Sequence, residues 1–208
     1  MNQRSSITAV VNQDDEYYLS LPNTVVNYAA EFGIKVHQEL EKLCNHYIES
    51  KKWELSDDTL TIKNFKYNFI LTKVVNLLVE KGIRAVRSEM DVAYVDDMTG
   101  KKFRGKIDLL ARNAANEFIL IDFKTCLLNE DVIEKATYQL GMYAMTLRQM
   151  CERAGKKISI AHHYILSVKK RGLPELIEVE KPEDEELMEL LRRNERREEP
   201  TEEEWWDE

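Results

Sequence analysis

Asp108, Asp122 and Lys124 are the residues whose types and spacing could do chemistry. They lie within Arg104 to Thr125, RGKIDLLARNAANEFILIDFKT, which reads as two strands joined by a short turn. The first strand, Lys102 to Ala111, alternates up to Asp108, and the second, Glu117 to Lys124, is an apolar run that ends in charge. Asn113 to Asn116 suit the connection of a hairpin. A turn centred on Ala115 places Asp108 across from Asp122, and directly opposed residues of an antiparallel pair share a face with Cβ atoms roughly 5 Å apart. Lys124 joins that face two residues further on, while Ile119, Ile121 and Phe123 point the other way into a core. Two carboxylates and an ammonium then meet at one end of a buried sheet. That cluster is costly unless something compensates it, and a divalent cation is the natural candidate. An isolated D-x-K pattern is more often a plain ion pair finishing a hairpin, so the rest of the chain has to decide.

The elements that must position these residues follow in order. Residues 1–22 are polar and irregular in pattern, closing with Leu21-Pro22. Asn23 or Thr24 caps a helix running to about Ser50, with Val26, Ala30, Gly33, His37, Leu40, Cys44 and Tyr47 near one stripe. His37 lies four residues after Gly33, and Gly33 lets another backbone or a ligand approach beside it; a lone helical histidine is otherwise a satisfied core or surface residue. Lys51 to Lys63 is a polar connection with Trp53 as anchor. A second helix spans Asn64 to Lys81, with an apolar face of Phe65, Phe69, Val74, Leu77 and Leu78, and Gly82 ends it. Ile83 to Val95 is a strand, and the turn over residues 96–100 brings Glu89 near Asp108. A long helix over residues 130–154 carries Gln139 and Tyr143 at i,i+4 on one face, near Lys135. Lys157 to Val168 and Glu175 to Glu180 form a further strand pair. His162 and His163 face opposite ways on it and read as structural. A last helix, Glu183 to Arg197, leads into an acidic tail.

Composition bounds the function. The chain has 208 residues, 43% of them hydrophobic, which supports one domain with a sizeable core. No apolar run approaches the roughly 20 residues of a membrane span, and the first residues have the order of neither a secretory nor a transit peptide. Three scattered cysteines, Cys44, Cys126 and Cys151, make no zinc knuckle or disulfide framework and fit reduced thiols inside a cell. The net charge of −8 looks unsuited to nucleic acid until it is located. Residues 181–208 hold 13 acidic and 5 basic residues, so the other 180 carry 25 of each sign and balance to zero. The body is free to carry a basic groove. No G-x-x-x-x-G-K-[ST] pattern occurs, which excludes a nucleotide motor within this sequence.

Five short patterns stand in one order: Gly33-x-x-x-His37 with Leu40-Glu41 after it, the strand residue Glu89, Gly105-x-Ile107-Asp108, Ile121-Asp122-Phe123-Lys124-Thr125, and Gln139-Leu140-Gly141-Met142-Tyr143. In this the chain resembles the PD-(D/E)XK nuclease superfamily. Within it the likeness is to the RecB-type exonuclease branch, which includes CRISPR-associated adaptation nucleases and mitochondrial genome-maintenance exonucleases. The likeness covers Val25 to Tyr143, and there are two departures. Ile107 stands where the superfamily has proline, and three dispersed cysteines cannot hold an iron–sulfur cluster.

The resemblance implies a restriction-endonuclease-like α/β core, a central mixed sheet flanked by helices. It implies Mg²⁺ or Mn²⁺ held by Asp108, Asp122 and the main-chain carbonyl of Phe123, with His37 as a further ligand and Glu89 as an accessory acid. Lys124 would orient or deprotonate the attacking water and offset charge in the transition state. Gln139 and Tyr143 would position Lys124 and a phosphate, and Thr125 would contact the nucleic-acid backbone. The expected protein is a metal-dependent deoxyribonuclease, an exonuclease acting on single- or double-stranded DNA in processing, repair or recombination. It is expected inside the cell and off the membrane. A nucleic-acid-binding or adaptor protein that does not cleave is the alternative. Residues 1–197 are expected to form a single nuclease domain. The tail, 198–208, is expected to be disordered from its composition; it reads first as an inert solubilising tail, while Trp205 and Trp206 also allow a docking peptide for a partner protein or a nucleic-acid mimic that occupies the basic groove.

Overall fold

The third strand is the hub of the sheet. It holds partners on both edges because its sequence is apolar on alternate residues along one half and nearly throughout the other. The structure, a computed structural model, describes residues 5–8, 23–55 and 65–198. In chain order the elements are β1 (Ser5–Ser6), α1 (Asn23–Ser50), α2 (Phe65–Glu80), β2 (Arg84–Val95), β3 (Lys102–Arg112), β4 (Phe118–Lys124), α3 (Glu130–Arg153), β5 (Ile160–Ser167), β6 (Glu175–Val179) and α4 (Asp184–Glu198).

β2 pairs antiparallel along the whole of β3. On the other edge of β3, β4 pairs antiparallel from Leu109 to Arg112, and β1 pairs parallel at Phe103 and Arg104. The sheet continues through β5, parallel to β4, to β6, antiparallel to β5. The parallel step needs a crossover, and α3 supplies it. The result is a mixed six-stranded sheet with helices on both faces. The expected hairpin register holds, since Leu109 lies across from Ile121 and Ala111 across from Ile119.

Local chemistry closes each turn. Asp96 begins the β2–β3 turn: its carboxylate accepts from the Thr99 hydroxyl at 2.6 Å and the Met98 amide at 3.1 Å, and Gly100 takes φ +72°. The Thr99 hydrogen bond is the main reason the Asp96 carboxyl lies below its ordinary range. Asn113 begins the β3–β4 turn, its side chain accepting from the Glu117 amide at 2.9 Å. Asn129 caps α3, accepting from the Val132 amide at 2.9 Å, with Glu130 and Asp131 in the first turn where the helix dipole favours them. Trp53 anchors its connection as expected. It stacks on Tyr47 at 4.2 Å and donates its indole N–H to the Ile83 carbonyl at 2.8 Å.

Two cores result, one on each face. The first joins α1 and α2 to the sheet through Leu40, Leu43, Leu71, Val74, Ile119 and Ile121. The second joins α3 and α4 through Phe103, Leu120, Leu140, Tyr143, Ile165 and Leu187. β4 is buried on both faces, which is why its sequence is a continuous apolar run.

Three local expectations are corrected. Phe69 does not face the α2 core but is 56% exposed, and Ile70, Leu71, Val74, Val75 and Leu78 form the buried stripe instead. Ala30 is exposed on α1. Ser5–Ser6 form a strand within a stretch expected to be irregular, because β3 offers them an open edge where β4 has diverged; two residues carry no periodic signal. The acidic tail beyond Glu198 lies outside the described residues.

Candidate active site

The sheet changes sides at Glu89 and Asp108. Residues two apart on a strand share a face, so Ile107 and Leu109 should enter one core. Both are buried, yet Ile107 packs in the α3 core and Leu109 in the α1 core. β2 switches at the same level. Val92 and Tyr94 pack on the α3 side, whereas Ala85 packs on the α1 side and Ser88 lies against Cys44 of α1. Between the two halves, Glu89 takes a left-handed φ of +48°, sparsely populated for a residue with a Cβ. The pairing register brackets it: Ser88 lies across from Leu109 and Met90 across from Ile107. Glu89 and Asp108 therefore sit opposite one another at the crossing point.

β3 and β4 part at the same level. Their last ladder pair is Leu109 with Ile121. Beyond it the Asp108 carboxylate accepts the Phe123 amide at 2.7 Å, so a side chain replaces the next ladder bond. The fork that opens there receives groups from both layers.

On the α1 side stand His37, Glu89 and Asp108, each offering a ligand atom within 4.8 Å of the others. His37 Nδ1 is 3.9 Å from the Asp108 Oδ2, and its ring meets Phe123 edge-on at 5.7 Å. Burial lowers the His37 pKa below its ordinary value, with Asp122 pulling the other way, so the imidazole stays neutral at pH 7 and free to be a ligand. Burial also raises Glu89, partly offset by Lys106, whose ammonium lies 3.6 Å from the Glu89 carboxylate.

On the α3 side stand Asp122, Lys124, Gln139 and Tyr143. Lys124 Nζ lies 2.8 Å from Asp122 Oδ2 and donates to Gln139 Oε1 at 3.4 Å, while Gln139 Nε2 donates to the Tyr143 hydroxyl at 2.9 Å. Burial pulls the Lys124 pKa down, but Asp122 and Asp108 outweigh it and hold the group above its ordinary value. The carboxylates thus favour the ammonium form of Lys124. Asp122 is not among the three whose ligand atoms lie within 4.8 Å of one another, but its charge acts directly on both Asp108 and His37.

Two glycines make this close packing feasible. A Cβ on Gly33 would lie 2.9 Å from the Thr125 hydroxyl, and a Cβ on Gly105 would lie 2.5 Å from the Tyr143 ring. Thr125 is thus seated against α1, and Tyr143 rests on the bare backbone of β3.

The donor set fits a hard divalent cation. Asp122 is 3% exposed, a buried carboxylate whose Oδ2 lies 2.8 Å from the Lys124 ammonium, its one charged partner at contact distance among the described residues. Asp108 is pushed well above its ordinary range, by burial first and by Asp122 second. A cation in the fork relieves both penalties.

Sequence reasoning missed Ser88, whose hydroxyl donates to the Asp108 carbonyl at 3.2 Å and secures the crossing point. A serine beside Glu89 on a strand gives no periodic or motif signal. His162 and His163 stay outside the site as expected, His162 paired with Glu178 at 2.6 Å and His163 buried.

A model of the PD-(D/E)XK nuclease superfamily matches residues 16–206 of the chain. The chain belongs to that superfamily. Its mixed sheet flanked by helices is the restriction-endonuclease-like fold. No curated protein matches the chain. Among solved structures, SSO0001 is 14% identical with a TM-score of 0.42, over 82% of this chain and 79% of its own. An exonuclease from Eubacterium rectale, so described provisionally, is 14% identical with a TM-score of 0.45, over 81% of this chain. This chain spans 64% of that protein's length. The superfamily's enzymes use divalent metals and act on nucleic acid, which agrees with the acid–histidine group at the fork. Among the described residues, no helix of this nuclease-superfamily member is long and apolar enough to cross a membrane.

Proposed function

We propose that the protein is a metal-dependent nuclease that hydrolyses DNA phosphodiester bonds, and that it works as an exonuclease. The observation that carries the nuclease reading is the fork itself, where Asp108 links the His37–Glu89 side to the Asp122–Lys124–Gln139 side. The exonuclease and DNA assignments rest on the RecB-type order of the five motifs.

In this reading His37, Glu89, Asp108, Asp122 and the Phe123 carbonyl would hold Mg²⁺ or Mn²⁺, which when bound would supply a lowered pKa to a water ligand and polarise the phosphoryl oxygen. The neutral His37 imidazole and the carboxylates fix the ligand geometry, with the imidazole favouring Mn²⁺. Lys124, held as an ammonium by Asp122, orients the attacking water and meets charge that grows on the phosphoryl oxygens. Gln139 fixes Lys124, Tyr143 orients Gln139, and Thr125 offers a hydroxyl to the backbone beside the cleaved bond.

The test is cleavage of end-labelled linear and circular DNA, single- and double-stranded, with Mg²⁺ or Mn²⁺. Progressive shortening of linear DNA alone is the expected result. Cutting of circles replaces the exonuclease by an endonuclease. No cleavage of any DNA with either metal overturns the reading in favour of a non-cleaving nucleic-acid-binding protein.

A further inference from the structure

Beyond the crossing point, the described residues cover the distal half of the β2–β3 hairpin on one face. Val92, Tyr94, Phe103 and Ile107 pack inward on the α3 core. The outward positions of β3 in that half are Lys102, Arg104 and Lys106, all exposed, and the next residue of that series is Asp108. Three cations thus recur at every second residue and end on the carboxylate at the centre of the fork. Their cross-strand neighbours are Val95, Ala93 and Asp91, so only Lys106 faces a carboxylate directly. Lys106 is also the one that reaches Glu89, at 3.6 Å. Lys102 and Arg104 have no ion-pair or hydrogen-bond partner among the described residues. Exposed cations in a row, on a face that no element among the described residues covers, are matched to an external line of negative charge.

A second cleft, of about 420 Å³, begins on this stripe and ends in the fork. It is lined by Arg104 and Lys106 on β3, by Asp91 and Asp108, by Thr8, and by Gln139 and Tyr143 on α3. Gly105 keeps the cleft floor free of a side chain, which lets the Tyr143 ring lie against it. The spacing has a meaning as well. Alternate residues of a strand are about 6.6 Å apart. That is about twice the roughly 3.4 Å rise per nucleotide of a stacked duplex strand, so one phosphate per cation requires a single strand drawn out to about double that rise.

We propose that Lys102, Arg104 and Lys106 form a track for the phosphate backbone of an extended single strand of nucleic acid whose cleaved bond lies at Asp108. The inference rests on the nuclease reading of the fork for where the strand ends, and adds the direction from which the strand comes. Arg104 and Lys102 each hold one phosphate and position the strand. Lys106 is shared between the track and Glu89.

The test uses a fluorescein-labelled 20-nucleotide single strand and the full chain carrying Asp122→Asn, which separates binding from cleavage. Adding Lys102→Gln and Arg104→Gln together is expected to lower the slope of log affinity against log salt by about 1.4, since each lost contact to a single strand removes roughly 0.7. Lys102→Arg with Arg104→Lys is expected to restore the slope, because the track reads charge. In the cleaving protein the double Gln variant is expected to raise KM for the 20-nucleotide strand about tenfold. With a chromogenic phosphodiester of one nucleotide, too short to reach Arg104, the same variant is expected to match the unsubstituted protein. An unchanged salt slope, or an equal loss on the short ester, overturns the track while leaving the nuclease reading in place. A weakened slope in a protein that cleaves no DNA upholds the track and overturns the nuclease reading. Weakening confined to a duplex of the same sequence overturns the extended-strand form of the proposal.

Discussion

Lys124 shows how the charge state of one residue follows from its neighbours. Two carboxylates hold it as an ammonium against the pull of burial, so its loss should be felt in the transition state and not in binding. Lys124→Ala is expected to lower cleavage at least about a hundredfold with little change in KM, the size seen when an electrostatic stabiliser is removed; steady-state kinetics on a labelled strand check this. His37 is tested differently. His37→Ala is expected to raise the Mn²⁺ concentration needed for half-maximal cleavage while leaving the metal-free melting temperature nearly unchanged; a fall in stability with no change in metal dependence would mean the imidazole is only packed. His163 lies on β5 across from Leu120 of β4, 1% exposed, and neither ring nitrogen has a hydrogen-bond partner among the described residues. Burial, and next Lys181, lower its pKa from 6.5 to about 4. The folded protein thus favours the neutral ring, so stability is full above about pH 6.5, falls as the pH drops towards 4 and then levels off. The gap corresponds to roughly 3 kcal/mol at most. Denaturant melts across that range should show the slope, and His163→Phe should remove it.

Elements carry the site through two close approaches. At Gly33 two effects oppose each other. Alanine is favoured over glycine inside a helix by about 1 kcal/mol, yet a Cβ here would stand 2.9 Å from the Thr125 hydroxyl. The contact should win, because threonine is stiff about χ1. Gly33→Ala is expected to destabilise by about 1 kcal/mol, and in a Thr125→Ala background the same change should stabilise. A double-mutant cycle read by denaturant melts checks the change of sign. The hairpin that brings Asp108 to Asp122 was legible in the sequence, because β4 is a continuous apolar run and Asn113 to Asn116 can form one short turn. The order Gly33, His37, Glu89, Asp108, Asp122, Lys124, Gln139 and Tyr143 was legible as well. The change of face between Ile107 and Leu109 was not, since both are apolar and alternation cannot say which core each enters. Phe69 was misplaced because a large apolar residue one position from the true stripe looks the same in a helical pattern.

On the scale of the whole molecule the charge is segregated: the residues before 181 balance to zero and the acidity lies after them, so overall charge hides the stripe on β3. The two cores are also less separate than a layered description implies. β2 and β3 each pass from one core to the other at Glu89 and Asp108. A sheet whose strands keep to their faces could lose one helix layer and keep the other. Here neither layer can peel away without pulling the same two strands out of register, so the cores should melt as one cooperative unit. Native-state hydrogen exchange reads this directly: the amides of Ile107 and Leu109, neighbours that serve different cores, should open with the same free energy. The same linkage makes the Glu89 and Asp108 carboxylates a gauge of global integrity, since any opening large enough to free α1 or α3 dismantles their crossing. Partial unfolding should therefore never leave a working nuclease, and activity should vanish with the global transition and not ahead of it.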